Sequence, residues 1–180
     1  MSSTVSVDVQ TDVLTITDFV NRLTRLDQNE RTPDVIAALF QQVQRFDPEV
    51  ELHVTFSRQK YTRNLFFRNE AFELLIMCWE PGQGTLIHDH DGSFTVDKIY
   101  SGSLQCIDFQ RTHLNSSTLE ETRRTQLIPG NVMISSSEDI HRVVNISDQT
   151  PAVSIHLYAP PLKRMNCFDL ETGTTWVVIP

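Results

Sequence analysis

From about residue 50 onward, the chain is a succession of short runs rich in β-branched and aromatic residues, each closed by turn residues. The separators include EPGQG, SG, IPGN and SDQTP. Strands of this length at this spacing are typical of a β-sandwich or barrel and not of alternating strand and helix units. The predicted strands are LHVTF, YTRNLFF, FELLIMCWE, FTVDKIYSG, SLQCIDF, NVMIS, HRVVNI, AVSIHLY and TTWVVI. We therefore expect a mainly β fold, a small antiparallel barrel.

The N-terminal region carries helix signals instead. TDFVNRLTRL offers Thr17 as an N-cap before an apolar stripe, and TPDVIAALFQQVQRF offers Thr32 as a cap, with Pro33 at the first helical position and Asp34 in the first turn. We predict two short helices packed at the N-terminal end of the barrel. With 180 residues and 39% hydrophobic content, the chain suits a single domain over 1–180, helical over about 1–48 and a β-barrel over about 50–180.

Charge and composition exclude several partners. The net charge is −8, from 15 Lys and Arg against 23 Asp and Glu, which argues against nucleic acid because phosphate binding needs clustered cations. No stretch resembles a membrane span or a signal peptide. We expect a cytoplasmic monomer without membrane contact. The three cysteines, an odd number without C-x-x-C spacing, favour reduced thiols over disulfides or a zinc site.

Three of the six histidines form a candidate metal site. His53 and His113 are isolated, and the default interpretation of such a residue is a surface or hydrogen-bonded core side chain. His88 and His90 stand two apart in a β-rich run, so both imidazoles can lie on one face of a strand. His141, at the start of another predicted strand, offers a third nitrogen ligand. H-x-H alone also arises by chance in strands, so the context must decide.

The context resembles the two cupin motifs. PGQGTLIHDHDGSFTVDKIYSG is similar to the first, with Gly82 six residues before the H-x-H pair and Gly102 closing it, and PGNVMISSSEDIHRVVN is similar to the second, with His141 and Asn145. The resemblance implies a cupin double-stranded β-helix, a jelly-roll barrel. The first motif normally carries a glutamate ligand seven residues before its closing glycine, and Thr95 stands there.

The absence of that glutamate narrows the resemblance. Three neutral histidines leave Fe(II) its full charge and open positions, a combination that favours a thiolate donor. Together with the cupin motifs, YTRNL at 61–65, PAVSIHLYAPPL at 151–162 and CFDLETG at 167–173 resemble the cysteine dioxygenase family in order and spacing. The resemblance covers about residues 58–173. It implies a non-haem Fe(II) enzyme that oxidises L-cysteine with O2 to cysteine sulfinic acid.

The resemblance also implies roles for individual residues. His88, His90 and His141 are the implied iron ligands, with cysteine bound through its thiolate and amine and a position left for O2. Arg63 occupies the place of the arginine that binds the substrate carboxylate, a role suited to its planar fork of donors, unless it is a solvated surface residue. Tyr61 either leans toward the same carboxylate or is an ordinary strand aromatic.

A polar row is predicted in SIHLY. Ser154, His156 and Tyr158 alternate on one strand face, so a hydroxyl, an imidazole and a phenol can form a hydrogen-bonded chain leading to the iron. In the family such a row orients the phenol beside the bound thiol and O2, and His156 supports the site without ligating the metal. The alternative is a structural row that fills the barrel interior.

Thr95 also places the chain within the family. Animal members carry there a cysteine that forms a thioether with the active-site tyrosine, so the crosslink position is occupied by Thr95 and the chain resembles the crosslink-free, commonly bacterial members. Related enzymes that oxidise 3-mercaptopropionate typically have glutamine where Arg63 stands, so Arg63 favours an amino-acid thiol. The alternatives are a dioxygenase of another small thiol, a non-catalytic metal-binding cupin, and a cupin isomerase or non-thiol dioxygenase with another metal.

Overall fold

The computed structural model describes residues 13–113 and 118–180. These residues form three helices, α1 (Ile16–Arg25), α2 (Pro33–Gln42) and α3 (Pro48–Glu51), followed by eleven strands. The strands are β1 (Thr62–Arg68), β2 (Glu73–Trp79), β3 (Ile87–His88), β4 (Phe94–Ser101), β5 (Leu104–Arg111), β6 (Leu119–Leu127), β7 (Val132–Ser135), β8 (Ile140–Val144), β9 (Ala152–Ala159), β10 (Met165–Phe168) and β11 (Thr175–Val178). The mainly β architecture with short N-terminal helices is as predicted.

Two antiparallel sheets form the barrel. The first has the strand order β1-β2-β9-β4-β7 and the second the order β11-β10-β3-β8-β5-β6. Their inner faces share one apolar cluster, to which the first sheet contributes Met77 and Ile99 and the second Leu104 and Val143. The sheets therefore face each other and enclose the barrel interior.

The helices cover the outer face of the five-stranded sheet. Phe19 of α1 and Phe40 of α2 stack with ring centroids 4.2 Å apart, in the same cluster as Ile76 of β2 and Ile155 of β9. Because both faces of β2 and β9 are covered, every position of these two strands is buried. This explains why β2, after Glu73, is a continuous apolar run, whereas the inner face of β9 carries the buried polar residues Ser154 and His156.

A buried lysine ties the helices to the sheet. Lys98 of β4 is 5% exposed, and its Nζ donates to the backbone oxygens of Phe40 and Val43, each at 2.6 Å. These carbonyls lie at the C-terminus of α2, where the helix dipole favours a cation. Burial lowers the pKa of Lys98 to about 8.

The helix predictions were right in kind, with one wrong boundary. α2 begins as predicted, with Thr32 as N-cap and Pro33 at its first position. α1, however, is capped by Thr15 and not by Thr17. The Thr15 side chain accepts from the Asp18 backbone N–H at 3.0 Å, and the Asp18 carboxylate accepts from the Thr15 backbone N–H at 3.2 Å. This reciprocal capping box starts the helix two residues earlier.

Eight of the nine predicted strands are present, and LHVTF, residues 52–56, is not a strand. There Asp47 caps the short helix α3 through a 2.9 Å bond from the Glu49 backbone N–H, and a turn follows. The prediction also missed β3, β6 and β10. β6 is an edge strand whose residues are mostly exposed, so it has no apolar alternation that sequence reasoning could find.

Two further observations concern the described residues alone. None of their helices has the length and apolar character needed to cross a membrane. Cys78, Cys106 and Cys167 are all free and buried, as expected for reduced thiols.

Gly102, in the turn between β4 and β5, is required by both backbone and space. Its φ is +68°, and a Cβ there would lie 2.4 Å from the Pro151 oxygen and 2.7 Å from the Ala152 Cα. We expect Gly102→Ala to destabilise the fold by about 1–2 kcal/mol for the left-handed backbone plus about 1–3 kcal/mol for the steric overlap. Urea unfolding monitored by circular dichroism measures the loss.

Gly130→Ala is the matched control. Gly130 also has a positive φ, +90°, but a Cβ there would have nothing within 4 Å. Gly130→Ala should therefore lower the free energy of unfolding only by the contribution of the left-handed backbone, about 1–2 kcal/mol. Equal losses in the two variants would show that the contact with Pro151 and Ala152 costs nothing.

Candidate metal centre and cavity

Three buried histidines converge inside the barrel. His88 ends β3 and pairs directly with His141 of β8, while His90 lies just beyond β3 in the following turn. One ring nitrogen of each lies within 4.8 Å of those of the other two. The three side chains predicted as ligands are therefore brought together, although His90 reaches the cluster from a turn and not from the predicted strand.

Each imidazole is oriented by a partner on its Nδ1. His88 Nδ1 lies 2.9 Å from the Leu86 carbonyl oxygen, His90 Nδ1 lies 3.4 Å from that of Ser136, and His141 Nδ1 lies 3.8 Å from Cys106 Sγ. A carbonyl can only accept, so Nδ1 of His88 and His90 carries the proton and Nε2 keeps its lone pair. Such contacts are the usual support of a metal-binding histidine.

Burial keeps the three imidazoles neutral. Desolvation lowers the pKa of His88 to about 3, lowers the pKa of His90, and lowers the pKa of His141 well below its ordinary value. Neutral imidazole is the metal-binding form, so the cluster fits a divalent transition metal. Cys106 and Asp108 also lie near His141, but neither lines the cavity beside the three histidines.

Two of the other three histidines, His53 and His113, lie away from this cluster. His53, just after α3, has its Nδ1 2.9 Å from the carbonyl oxygen of Glu49 in that helix, and His113 is exposed. Asp89, between the two ligand candidates, turns away from the cluster and accepts from the Asn166 side chain at 2.8 Å. Neither His53 nor His113 is needed to explain the site.

A narrow cavity opens beside the histidines. Its polar lining includes every residue that was predicted to bind substrate or to assist the reaction except Ser154, which lies behind it. The lining consists of Tyr61, Arg63, Met77, Trp79, Thr85, His88, His90, Asp97, His141, Val143, His156, Tyr158 and Met165. The structure thus assembles in one place residues that lie 104 positions apart in the chain, from 61 to 165.

Arg63 lies at the cavity and not on the open surface. Its guanidinium carbon is 5.4 Å from the centre of the Tyr158 ring. Tyr61, two residues earlier on the same face of the chain, stacks on Trp79 with ring centroids 4.6 Å apart. Burial raises the pKa of Tyr158 and of Tyr61, so both phenols keep their protons near neutral pH. The cavity therefore offers one guanidinium group and two phenol O–H donors.

Thr95 faces the tyrosine as the resemblance implied. It is fully buried and stands directly opposite Tyr158 in the β4–β9 ladder. A hydroxyl cannot form the thioether that a cysteine forms in animal members. Cys78 packs in the cluster beneath the helices, and Cys106 lies behind His141.

The polar row of β9 is partly as predicted. Ser154 Oγ lies 2.8 Å from His156 Nε2, which is the expected first contact. His156 Nδ1, however, lies 2.9 Å from Asp97 Oδ1 of β4. Both ring nitrogens are thereby occupied, and the phenol of Tyr158 only stacks beside the imidazole, with ring centroids 6.2 Å apart and planes at 18°. The chain of contacts runs to Asp97 and not to Tyr158.

Sequence reasoning missed Asp97. Its signal was an acidic residue in the middle of the apolar run FTVDKIY, where a solvated carboxylate is out of place. It stands two residues after Thr95, so both side chains point to the same face of β4. The structure puts it in the interior, 3% exposed.

Comparison with known proteins agrees with this geometry. A family model described as cysteine dioxygenase type I matches residues 1–171. The human protein named cysteine dioxygenase type 1 is 34% identical over 170 residues, which cover 91% of this chain and 85% of that protein.

Solved structures share the fold. A Klebsiella pneumoniae protein with a double-stranded β-helix domain superposes with a TM-score of 0.51 at 17% identity, covering 72% of this chain and 87% of that one. A sugar phosphate isomerase of the cupin superfamily from Silicibacter pomeroyi superposes with a TM-score of 0.50 at 15% identity, covering 67% and 77%. These likenesses confirm the predicted cupin barrel. The fold alone does not give the family, but the family model and the 34% identity to the human protein do: the chain belongs to the cysteine dioxygenase type I family.

Proposed function

We propose that the protein is a non-haem Fe(II) thiol dioxygenase that converts L-cysteine and O2 to cysteine sulfinic acid. The main support is the cluster of three neutral, buried histidines beside a cavity that is lined by Arg63. The chain that carries this cluster belongs to the cysteine dioxygenase family. His88, His90 and His141 are the proposed iron ligands.

The donor set fits this metal. Three imidazole nitrogens without a carboxylate in the cluster leave a bound divalent ion its full positive charge and open coordination positions. When bound, Fe(II) supplies the redox chemistry that O2 requires and a charge that favours the thiolate form of the substrate. The protein residues supply binding, orientation and control of protons.

Arg63 and Tyr61 are proposed to bind the substrate carboxylate. A guanidinium presents two parallel N–H donors that match the two oxygens of a carboxylate, and the Tyr61 O–H can add a third donor from the same side. Because Arg63 also lies over the Tyr158 ring, a bound carboxylate would place the rest of a small amino-acid thiol between Tyr158 and the histidines.

Tyr158 is proposed to act on the reacting atoms through its O–H. Burial favours the neutral phenol, so it donates a hydrogen bond and does not act as a base. His156 holds its ring in place by stacking, and Ser154 supports His156. In the overall reaction the thiol loses its proton, the O–O bond breaks, and both oxygen atoms form bonds to the same sulfur, which is oxidised by four electrons while O2 is reduced.

Oxygen uptake with a panel of thiols tests the proposal. Iron-loaded protein, with metal content measured on the same sample, should consume one O2 per L-cysteine and form the sulfinate, with lower kcat/KM for 3-mercaptopropionate and cysteamine. Fastest turnover of 3-mercaptopropionate would show that the substrate is wrong. Absence of stoichiometric uptake with every thiol would reject the dioxygenase.

Arg63→Gln should weaken binding of the substrate carboxylate. Loss of a charge-assisted hydrogen-bonded pair, worth about 1.5–3 kcal/mol, should raise KM for L-cysteine about 10- to 100-fold. The low activity with cysteamine, which has no carboxylate, should not change. Arg58→Gln, an exposed arginine five residues earlier, is the control and should behave as the unmodified protein. Equal loss with both thiols would assign Arg63 a structural role.

Tyr158→Phe keeps the ring and removes only the O–H. We expect kcat per bound iron to fall about 10- to 100-fold with little change in KM, because the missing interaction acts on the reacting atoms and not on substrate binding. Tyr100→Phe is the matched control. Tyr100 is also buried, and its hydroxyl contacts Asp47 and Glu51 away from the cavity, so this change should reduce stability and leave kcat intact. Unchanged sulfinate formation in Tyr158→Phe would contradict the assigned role.

A further inference from the structure

Asp97 is a buried carboxylate for which the proposed reaction has given no role. Among the described residues that line the cavity it carries the only carboxylate, and it lies directly opposite His156 in the β4–β9 ladder. It does not belong to the cluster of ligand atoms formed by the three histidines. Its oxygens instead contact His156 Nδ1 at 2.9 Å and Thr95 Oγ1 at 3.4 Å.

The two neighbours of a neutral His156 ring select one position for its proton, because the Asp97 carboxylate can only accept whereas the Ser154 hydroxyl can donate. Trp79 Nε1–H can only donate, and it donates to Ser154 Oγ at 2.9 Å. The hydroxyl proton of Ser154 is then free to donate to His156 Nε2, 2.8 Å away. With Nε2 accepting, the proton of the imidazole lies on Nδ1, 2.9 Å from Asp97 Oδ1. The carboxylate, which can only accept, completes this order.

The order serine, histidine, aspartate is also that of hydrolase triads, but Ser154 is not placed to attack a substrate. It is 0% exposed, it does not line the cavity, and its oxygen already accepts from Trp79. What does face the cavity is the far end of the row, namely the His156 ring and the Tyr158 phenol stacked beside it.

We propose that Asp97 is a positioning residue that holds His156 as the Nδ1–H tautomer and thereby fixes the imidazole against which Tyr158 stacks. The inference rests on the proposed function for its effect on turnover, whereas the tautomer itself is independent of it. The residues involved lie on two neighbouring strands: Thr95 and Asp97, on one face of β4, stand opposite Tyr158 and His156 of β9, respectively. Thr95 supports Asp97 from the position where a cupin would carry its carboxylate ligand.

Removing the acceptor should change the tautomer. In Asp97→Leu the Nδ1–H would be buried without a partner, which is costly, and the ring can avoid this cost by moving its proton to Nε2. Ser154 Oγ would then accept from both Trp79 and His156. Asp97→Asn is the conservative variant, because its amide oxygen can still accept from Nδ1–H.

The direct test is nuclear magnetic resonance of metal-free protein with ¹⁵N-labelled histidine. His156 is assigned by the signal lost in His156→Gln. We expect Nδ1–H in the unmodified protein and in Asp97→Asn, and Nε2–H or an average of the two tautomers in Asp97→Leu. An Nδ1–H signal that persists in Asp97→Leu would overturn the inference. Asp97→Val, smaller and suited to a strand, is made alongside in case leucine does not fit.

Turnover provides the second readout. Per bound iron, Asp97→Leu should lower kcat about 10- to 100-fold, the usual effect of losing a group that orients the site, with KM for L-cysteine changed less than about threefold. Asp97→Asn should recover most of the rate. A loss of substrate affinity with kcat intact would contradict a positioning role.

Glu73→Gln is the matched control. Glu73 is another fully buried carboxylate of the same sheet, but it contacts Arg68 and the Leu162 backbone N–H and not His156. Its loss should lower stability without changing the tautomer of His156 or kcat per iron. If the unmodified protein oxidises no thiol, the proposed function fails while the resonance measurement still decides the role of Asp97.

Discussion

The register of β9 between β2 and β4 is the constraint on which the site depends. In this ladder Ser154, His156 and Tyr158 share the inward face of one strand, and on β4 Thr95 and Asp97 lie opposite the last two. A shift by one residue would turn all five side chains outward, toward the helices. The apolar positions that alternate with them, buried under α1 and α2, oppose such a shift, so packing on the outer face of the sheet holds the polar inner face in place.

An interior with this many polar groups is stable only because nearly all of them have partners. The two histidines with carbonyl partners, His88 and His90, keep a neutral ring and a fixed Nδ1–H, and His156 spans Ser154 and Asp97. The Arg63 guanidinium lies at the cavity edge, over the ring of Tyr158. These contacts leave the lone pairs of the histidine cluster and the O–H of Tyr158 as the groups available to a ligand. The proposed metal binding and proton donation would thus use the groups that the fold itself leaves available.

Local patterns predicted most of the fold. The cap at Thr32, eight of the nine strand runs and the change from helical to β spacing near residue 50 depend on neighbouring residues, and each is present in the structure. The failures have different causes. The cap at Thr15 rests on a reciprocal bond with Asp18, which is also a local pattern and was overlooked, whereas β6 is recognisable only from its pairing with β5 at the sheet edge.

The sequence by itself determined the fold class, the three candidate metal ligands, and the absence of a carboxylate or a crosslinking cysteine at Thr95, because motif spacing and residue identity are properties of the chain. Only the tertiary structure decided what each side chain contacts. It placed Arg63 at the cavity, turned His156 toward Asp97 instead of Tyr158, and buried the Asp97 carboxylate in the barrel interior. The physical reason is that a strand fixes which face a residue occupies, whereas its partners come from strands that are distant in sequence and meet it only when the sheets assemble.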